Sequence, residues 1–190
     1  MASATYFDSL PVSYTSVPVT GDGIDTPAFL IATEGLISML DLLGSAAFKP
    51  VQSDMSGNVK KIRDRYTTDH GKNATLEKLV ASEKSDGQKT GAEGLLWLTR
   101  GLDFCAKALR RSVSDPSEEL TVSFTKAYEV TLKQYHSMLV RPIFSLAMKA
   151  CPYRKDFYAK LGSDQEKVSQ QLGDWLSALE GMLVTLSKVV

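Results

Sequence analysis

The sequence predicts an all-α protein, a single domain of about seven helices. Three observations carry this. Apolar residues recur at helical spacing in segment after segment, and no stretch of strand-period alternation has any strength. The 190 residues, 43% hydrophobic and 23% charged, are ordinary for a globular chain and sufficient for one good-sized core.

Residues 1–24 hold Pro11, Pro18, Gly21 and Gly23 among hydroxyl and aromatic side chains. They read as an extended N-terminal arm, packed down by Tyr6, Phe7, Leu10 and Tyr14. Thr26-Pro27 reads as a capping hydroxyl followed by a first-turn proline. The helix it opens, ended by Gly44, is apolar around most of its circumference and so expects burial on more than one side.

Phe48-Lys49-Pro50 reads as a link into a helix from about Gln52 to Tyr66. There Met55, Val59, Ile62 and Tyr66 form one apolar stripe. Asp54, Asn58, Lys61 and Arg65 run parallel to it, each one residue earlier and about 100° round the helix. That polar line is either a solvated face or the edge of a ligand site. Thr67 to Asn73 reads as a loop, Thr75 starts a short helix, and Ser82 to Gly91 reads as a second exposed loop.

Residues 92–113 form a strongly apolar helix. Trp97 within it is a core residue or, alternatively, a flat platform for the C–H face of a sugar, with Arg100 adding a donor three residues on. Asp115-Pro116 and the two glutamates after Ser117 read as the start of the longest helical segment, running to Ala150 and kinked by Pro142 near Tyr135 to Leu139. A short piece, Phe157 to Leu161, precedes a last helix with a clean stripe from Val168 to Val190. At least three helices are too apolar for a bundle with one wet side each. A third layer or a cavity for an apolar ligand would both answer that.

The 22 basic and 22 acidic residues cancel. A nucleic-acid partner would call for a basic excess, so none is expected. Strong electrostatic attachment to acidic membranes is likewise disfavoured, while a transient apolar contact is not. Cys105 and Cys151 read as free thiols in a reducing compartment. With no signal peptide and no segment long enough to span a membrane, the expectation is cytoplasmic. A phosphate loop, a nucleophile elbow and metal-spaced His or Cys are all missing, so no enzyme, cofactor or metal is expected. His70 reads as solvated; His136, beside an apolar stretch, reads as a satisfied core histidine or a ligand-facing one.

Several motifs, in order, resemble the glycolipid transfer protein family over nearly the whole chain. Asp54-x-x-x-Asn58-x-x-Lys61 resembles its head-group motif, and Leu96-Trp97-Leu98-x-Arg100-Gly101-Leu102-x-Phe104 its tryptophan helix. Tyr135-His136 resembles its histidine segment, and Ala150-x-Pro152-Tyr153-Arg154-x-Asp156-Phe157 the turn that follows. Phe29-Leu30 and Leu42-Leu43-Gly44-Ser45 are similar to its first helix and link. The wording around Tyr153 to Gly162 is closest to the fungal, heterokaryon-incompatibility type.

The resemblance implies a two-layer helical sandwich of about seven to eight helices that carries a glycosphingolipid between bilayers without chemistry. It implies that Asp54, Asn58 and Lys61 hydrogen-bond the first sugar, with Trp97 stacked on it and Arg100 beside it. Asp54 and His136 would hold the ceramide amide, and the two chains would enter an internal apolar pocket. The implied ligands are glucosyl-, galactosyl- or lactosylceramide, carried by a monomer. The runner-up is the family's ceramide-phosphate branch, which places arginine where Trp97 stands. A lipid-sensing interaction protein is a third reading.

The chain departs from animal members in three places. It ends Ser187-Lys188-Val189-Val190 without an aromatic, it has Met138 where they carry a membrane-touching tryptophan, and Glu93 replaces an apolar residue. Met138, Pro142, Ile143 and Tyr153, flanked by Arg141, Lys149, Arg154 and Lys155, are candidates for a shallow membrane-contact patch or, equally, for core.

Overall fold

The computed structural model describes residues 4–190, with the side chain of Ser45 left aside. Two 3-10 turns, Phe7–Ser9 and Tyr14–Ser16, precede a two-residue antiparallel ladder of β1 (Val19–Thr20) and β2 (Gly23–Ile24). Eight α-helices follow: α1 (Thr26–Met39), α2 (Ser45–Thr68), α3 (Leu76–Ser85), α4 (Thr90–Ser114), α5 (Leu120–Val130), α6 (Arg141–Lys149), α7 (Arg154–Leu161) and α8 (Gln165–Leu186). In one layer α2 touches α1 and α6. In the other α4 lies between α5 and α8, and the two layers meet along α2 and α4.

Of the extended arm expected over residues 1–24, residues 1–3 lie outside the described ones, and residues 4–24 are folded into turns and the short ladder. Phe7 and Tyr14 are buried, and the Tyr14 ring stands 4.9 Å from Trp175 of α8 while its hydroxyl lies 3.0 Å from Thr33 Oγ1. The α1 cap is Asp25, whose carboxylate accepts from the Ala28 N–H; Thr26 instead donates to the Asn73 carbonyl. The sequence contains both capping types side by side, and the buried partner decides between them.

By length and composition Thr26–Leu43, 18 residues of mean hydropathy 1.4, is apolar enough to cross a membrane, contrary to expectation. In the fold 56% of it is buried, which is the packing on several sides that its circumference demands. Gly44 then takes φ +108°, a conformation that side chains avoid, and lets the chain reverse directly into α2. Pro50 is no link. It sits in the second turn of α2, where its missing N–H removes a single ladder bond.

The closeness of α2 and α4 rests on small residues. A Cβ at Gly94 would stand 3.0 Å from Lys61 Cβ and 3.2 Å from the Asn58 carbonyl; at Gly91, 3.1 Å from Arg65 Cβ; at Gly101, 3.5 Å from Met55 Cγ. The pairing 55–101, 61–94, 65–91 runs antiparallel. It sets Asn58 and Lys61 beside the turn of α4 that carries Trp97.

Two expected loops are more structured than their composition suggests. α3 continues to Ser85, and Glu83 within it is buried, its carboxylate accepting from the Gly91 and Ala92 N–H groups at the start of α4. Arg65, expected to share the polar line of α2, turns away from it to Ser82 and Asp86.

The long helix expected from Asp115 to Ala150 is broken. α5 starts only at Leu120, because the Asp115 carboxylate accepts from Ser117 and closes a local turn instead. α5 stops at Val130, and after a 3-10 turn and an irregular stretch Pro142 opens α6 in its first turn. Pro142 starts a helix; it does not kink one.

Candidate functional site

Three polar side chains of α2 form a ladder along its length. Asn58 Nδ2 donates to Asp54 Oδ2 at 3.4 Å, and Lys61 Nζ donates to Asn58 Oδ1 at 3.2 Å. Asn58 is buried, while Asp54 and Lys61 reach the surface. The line therefore presents a carboxylate, an amide and an ammonium from one edge, offering acceptors and donors together.

Asp54 is open to solvent on one side, yet desolvation by the protein body is the largest influence on its carboxyl and raises its pKa. The charges of Lys61 and His136 pull it back down. His136 shows the mirror effect. Burial lowers its pKa first, Asp54 raises it, and Arg141 lowers it again. The two groups therefore act on each other through their charges, each favouring the charged form of the other against the effect of burial.

His136 is half-buried. Its Nδ1 lies 3.1 Å from the Tyr128 hydroxyl, its carbonyl accepts from Arg141 Nε at 3.0 Å, and its ring lies 4.4 Å from Phe144. Burial raises the Tyr128 pKa, so its hydroxyl keeps its proton. Donor and acceptor follow the tautomer: where the hydroxyl donates to Nδ1, the imidazole carries its proton on Nε2.

Behind His136 the interior is filled by rings. Tyr128 and Phe144 stack at 5.3 Å, and Phe104 stands 6.2 Å from each, with Phe124 5.7 Å beyond. These rings lie where His136 meets the core.

Trp97 is half-buried rather than core, one turn past the Gly94 contact. Arg100 Cζ lies 4.7 Å from the Trp97 ring centroid, as the three-residue spacing anticipated, and 3.7 Å from that of Tyr135. Beyond Arg100 and Tyr135, between α4, the end of α5 and the C-terminal half of α8, is an open groove of about 640 Å³. Val184 and Val190 contribute to its wall.

The expected membrane-contact residues are at the surface: Met138 is 76% exposed, Ile143 45% and Tyr153 67%. Leu139 (85%) and Leu146 (65%) are exposed with them and were not anticipated. Their spacing with Ile143 resembles a buried helical stripe, and only the break before α6 turns it outward. Of the expected basic flank, Arg141 is bound to His136 and Arg154 lies 4.0 Å over the Tyr158 ring and bonds the Ser112 carbonyl. Lys149 and Lys155 remain exposed. Cys105 and Cys151 are free thiols. Among the described residues no group of three metal-type ligands comes together.

Residues 24–163 match the family described as glycolipid transfer protein. The chain is 52% identical over 183 residues to a glycolipid transfer protein of Aureobasidium melanogenum, covering 96% of this chain and 91% of that one. The crystal structure of HET-C2, a fungal glycolipid transfer protein, superposes with a TM-score of 0.94 at 46% identity over 97% of this chain and 95% of that one. A FAPP2 structure, described as selecting simple glycosphingolipids with the same fold, gives 0.89 at 32% identity over 98% and 94%.

Proposed function

The chain belongs to the glycolipid transfer protein family, and on that premise we propose how its site reads the lipid it moves between membranes. The ligand is a glycosphingolipid with a simple neutral head. The observation that carries this is the Asp54–Asn58–Lys61 ladder held beside Trp97 by the glycine contacts of α4. A hexose presents hydroxyls that need donors and acceptors, which the ladder supplies, and a C–H face, which an indole can receive.

The Asp54 carboxylate accepts the ceramide N–H and the outward His136 Nε2–H donates to its C=O. Leaving either unmatched in the closed site would cost about 1–3 kcal/mol. The chains enter as Tyr128, Phe144 and Phe104 move apart. Each CH₂ so shielded is worth about 0.8 kcal/mol, the quantity that makes an unaided crossing of water slow. No bond of the lipid is made or broken.

The turn before α6, with Met138 and Leu139, and the outer face of α6, with Ile143 and Leu146, rest on the bilayer during exchange. Their apolar exposure supports this. The free thiols support the cytosol as the place of action.

The test is vesicle-to-vesicle transfer of labelled glucosyl- and galactosylceramide, with ceramide phosphate, sphingomyelin and phosphatidylcholine as controls. Acceleration confined to the hexosylceramides is expected. Acceleration of ceramide phosphate alone would favour the phosphate-carrying reading. Binding without transfer, together with a lipid-dependent protein partner, would favour a sensor.

A further inference from the structure

Arg100, expected from the sequence to donate to the sugar, is engaged with two rings. The Trp97 and Tyr135 centroids are 6.3 Å apart with their planes at 81°, and the guanidinium fills the corner between them. Among the described residues no carboxylate pairs with it. Asp103, one turn further along α4, is held by Lys107. The rings, not an ion pair, fix where Arg100 lies.

We propose that Tyr135 and Arg100 form a brace that holds the Trp97 ring in its platform orientation. Arg100 is a positioning residue acting through Trp97, and Tyr135 positions Arg100. A half-buried indole on a helix surface has several rotamers open to it. Freezing one on binding opposes affinity, so a platform held beforehand binds better than a free ring. The guanidinium lies 4.7 Å from the indole centroid, and on this reading the sugar takes the opposite face. Tyr135 also directly precedes His136, so one backbone turn sets both the brace and the amide-reading imidazole. The Tyr135 hydroxyl makes no bond among the described residues, which leaves its ring as the working part.

This inference rests on the reading of Trp97 as a sugar platform, and the experiment separates the two. Trp97→Ala, Tyr135→Ala, Tyr135→Phe and Arg100→Gln are compared for galactosylceramide transfer between phosphatidylcholine vesicles, for thermal unfolding, and for indole mobility by time-resolved fluorescence anisotropy. Buried Trp175 adds only a slow, constant component to the last. Tyr135→Ala and Arg100→Gln should free the indole and lower transfer roughly 2- to 5-fold, with unfolding unchanged. Tyr135→Phe should keep both the slow indole and the transfer rate.

Loss of transfer in Arg100→Gln with the indole still slow would make Arg100 a direct sugar donor and overturn the brace. So would Tyr135→Phe falling as far as Tyr135→Ala, or Tyr135→Ala behaving as the parent. If Trp97→Ala transfers normally, the platform reading fails and the brace with it. If only Trp97→Ala is impaired, the platform stands and the brace fails.

Discussion

Gly94 of α4 lies against Lys61 of α2 so closely that a Cβ on the glycine would stand 3.0 Å from the lysine's own. The Asp54–Asn58–Lys61 ladder and Trp97 are therefore parts of one helix contact. Their spacing is set by a missing side chain.

Gly94→Ala should damage both stability and binding. The added methyl meets Lys61 Cβ and the Asn58 carbonyl, and prying helices apart costs about 1–3 kcal/mol, partly offset by alanine's helix propensity of up to about 1 kcal/mol. A net loss of about 1 kcal/mol in denaturant unfolding is expected, with weaker hexosylceramide binding. Gly173→Ala on α8, where nothing lies within 4 Å, should instead stabilise slightly and transfer normally. Equal behaviour of the two would refute the spacing argument.

Glycolipid binding should fall on acidification at a pH above the ordinary aspartate value of 3.8, because desolvation raises the Asp54 pKa and the ionised form is the stronger acceptor for the amide. Stability moves the opposite way. A raised native pKa means that the ionised form is disfavoured in the fold, so this group's deficit is present above its native pKa and vanishes as pH falls below 3.8. Asp54→Asn should remove the binding step and cost transfer at least about tenfold, the worth of a charged hydrogen bond of 1.5–3 kcal/mol, while leaving a cooperative unfolding transition. Titrating affinity and melting temperature of both proteins against pH checks each sign.

Acid stability should depend on Glu118. Arg111 first, then Lys126 and Ser123, bond its carboxylate and lower its pKa from 4.5 to about 2. A depressed native pKa contributes stability that is complete above the unfolded value of 4.5 and is lost as pH falls towards 2. Glu118→Gln should flatten unfolding free energy across that window, and an unchanged slope would count against the role of this turn between α4 and α5.

Leu139→Glu and Met138→Glu should weaken vesicle partitioning and slow transfer while changing unfolding by no more than about 0.5 kcal/mol, as both side chains are largely exposed. Phe144→Glu, at a buried position, should fail in unfolding instead. Sedimentation with phosphatidylcholine vesicles distinguishes the two kinds of loss. Unchanged partitioning in the first pair would remove the turn from the membrane contact.

What the sequence made legible follows the physics of spacing. The α2 line was readable because Met55, Val59 and Ile62 fix which face is buried, and Asp54, Asn58 and Lys61 then fall at its edge. Arg65 left that line because Asp86 and Ser82, distant in sequence, capture it. The break between α5 and α6 was hidden because apolar residues keep helical spacing through it, and Leu139 and Leu146 pass as core. Glu83 was equally silent, since a buried carboxylate and an exposed one look alike until the Gly91 and Ala92 N–H groups are placed. Tyr135 stood out only as part of the Tyr135-His136 motif, and its place against Arg100 depends on the turn after α5.

The ring cluster behind His136 bears on how a carrier lets go. Tyr128, Phe144 and Phe104 pack on one another behind His136, and chains that enter there, as proposed, do so by parting them. Uptake trades ring–ring contacts for ring–chain contacts, and delivery restores the first set. Each ring–ring contact given up then offsets part of what shielding a chain gains, which favours release as well as uptake.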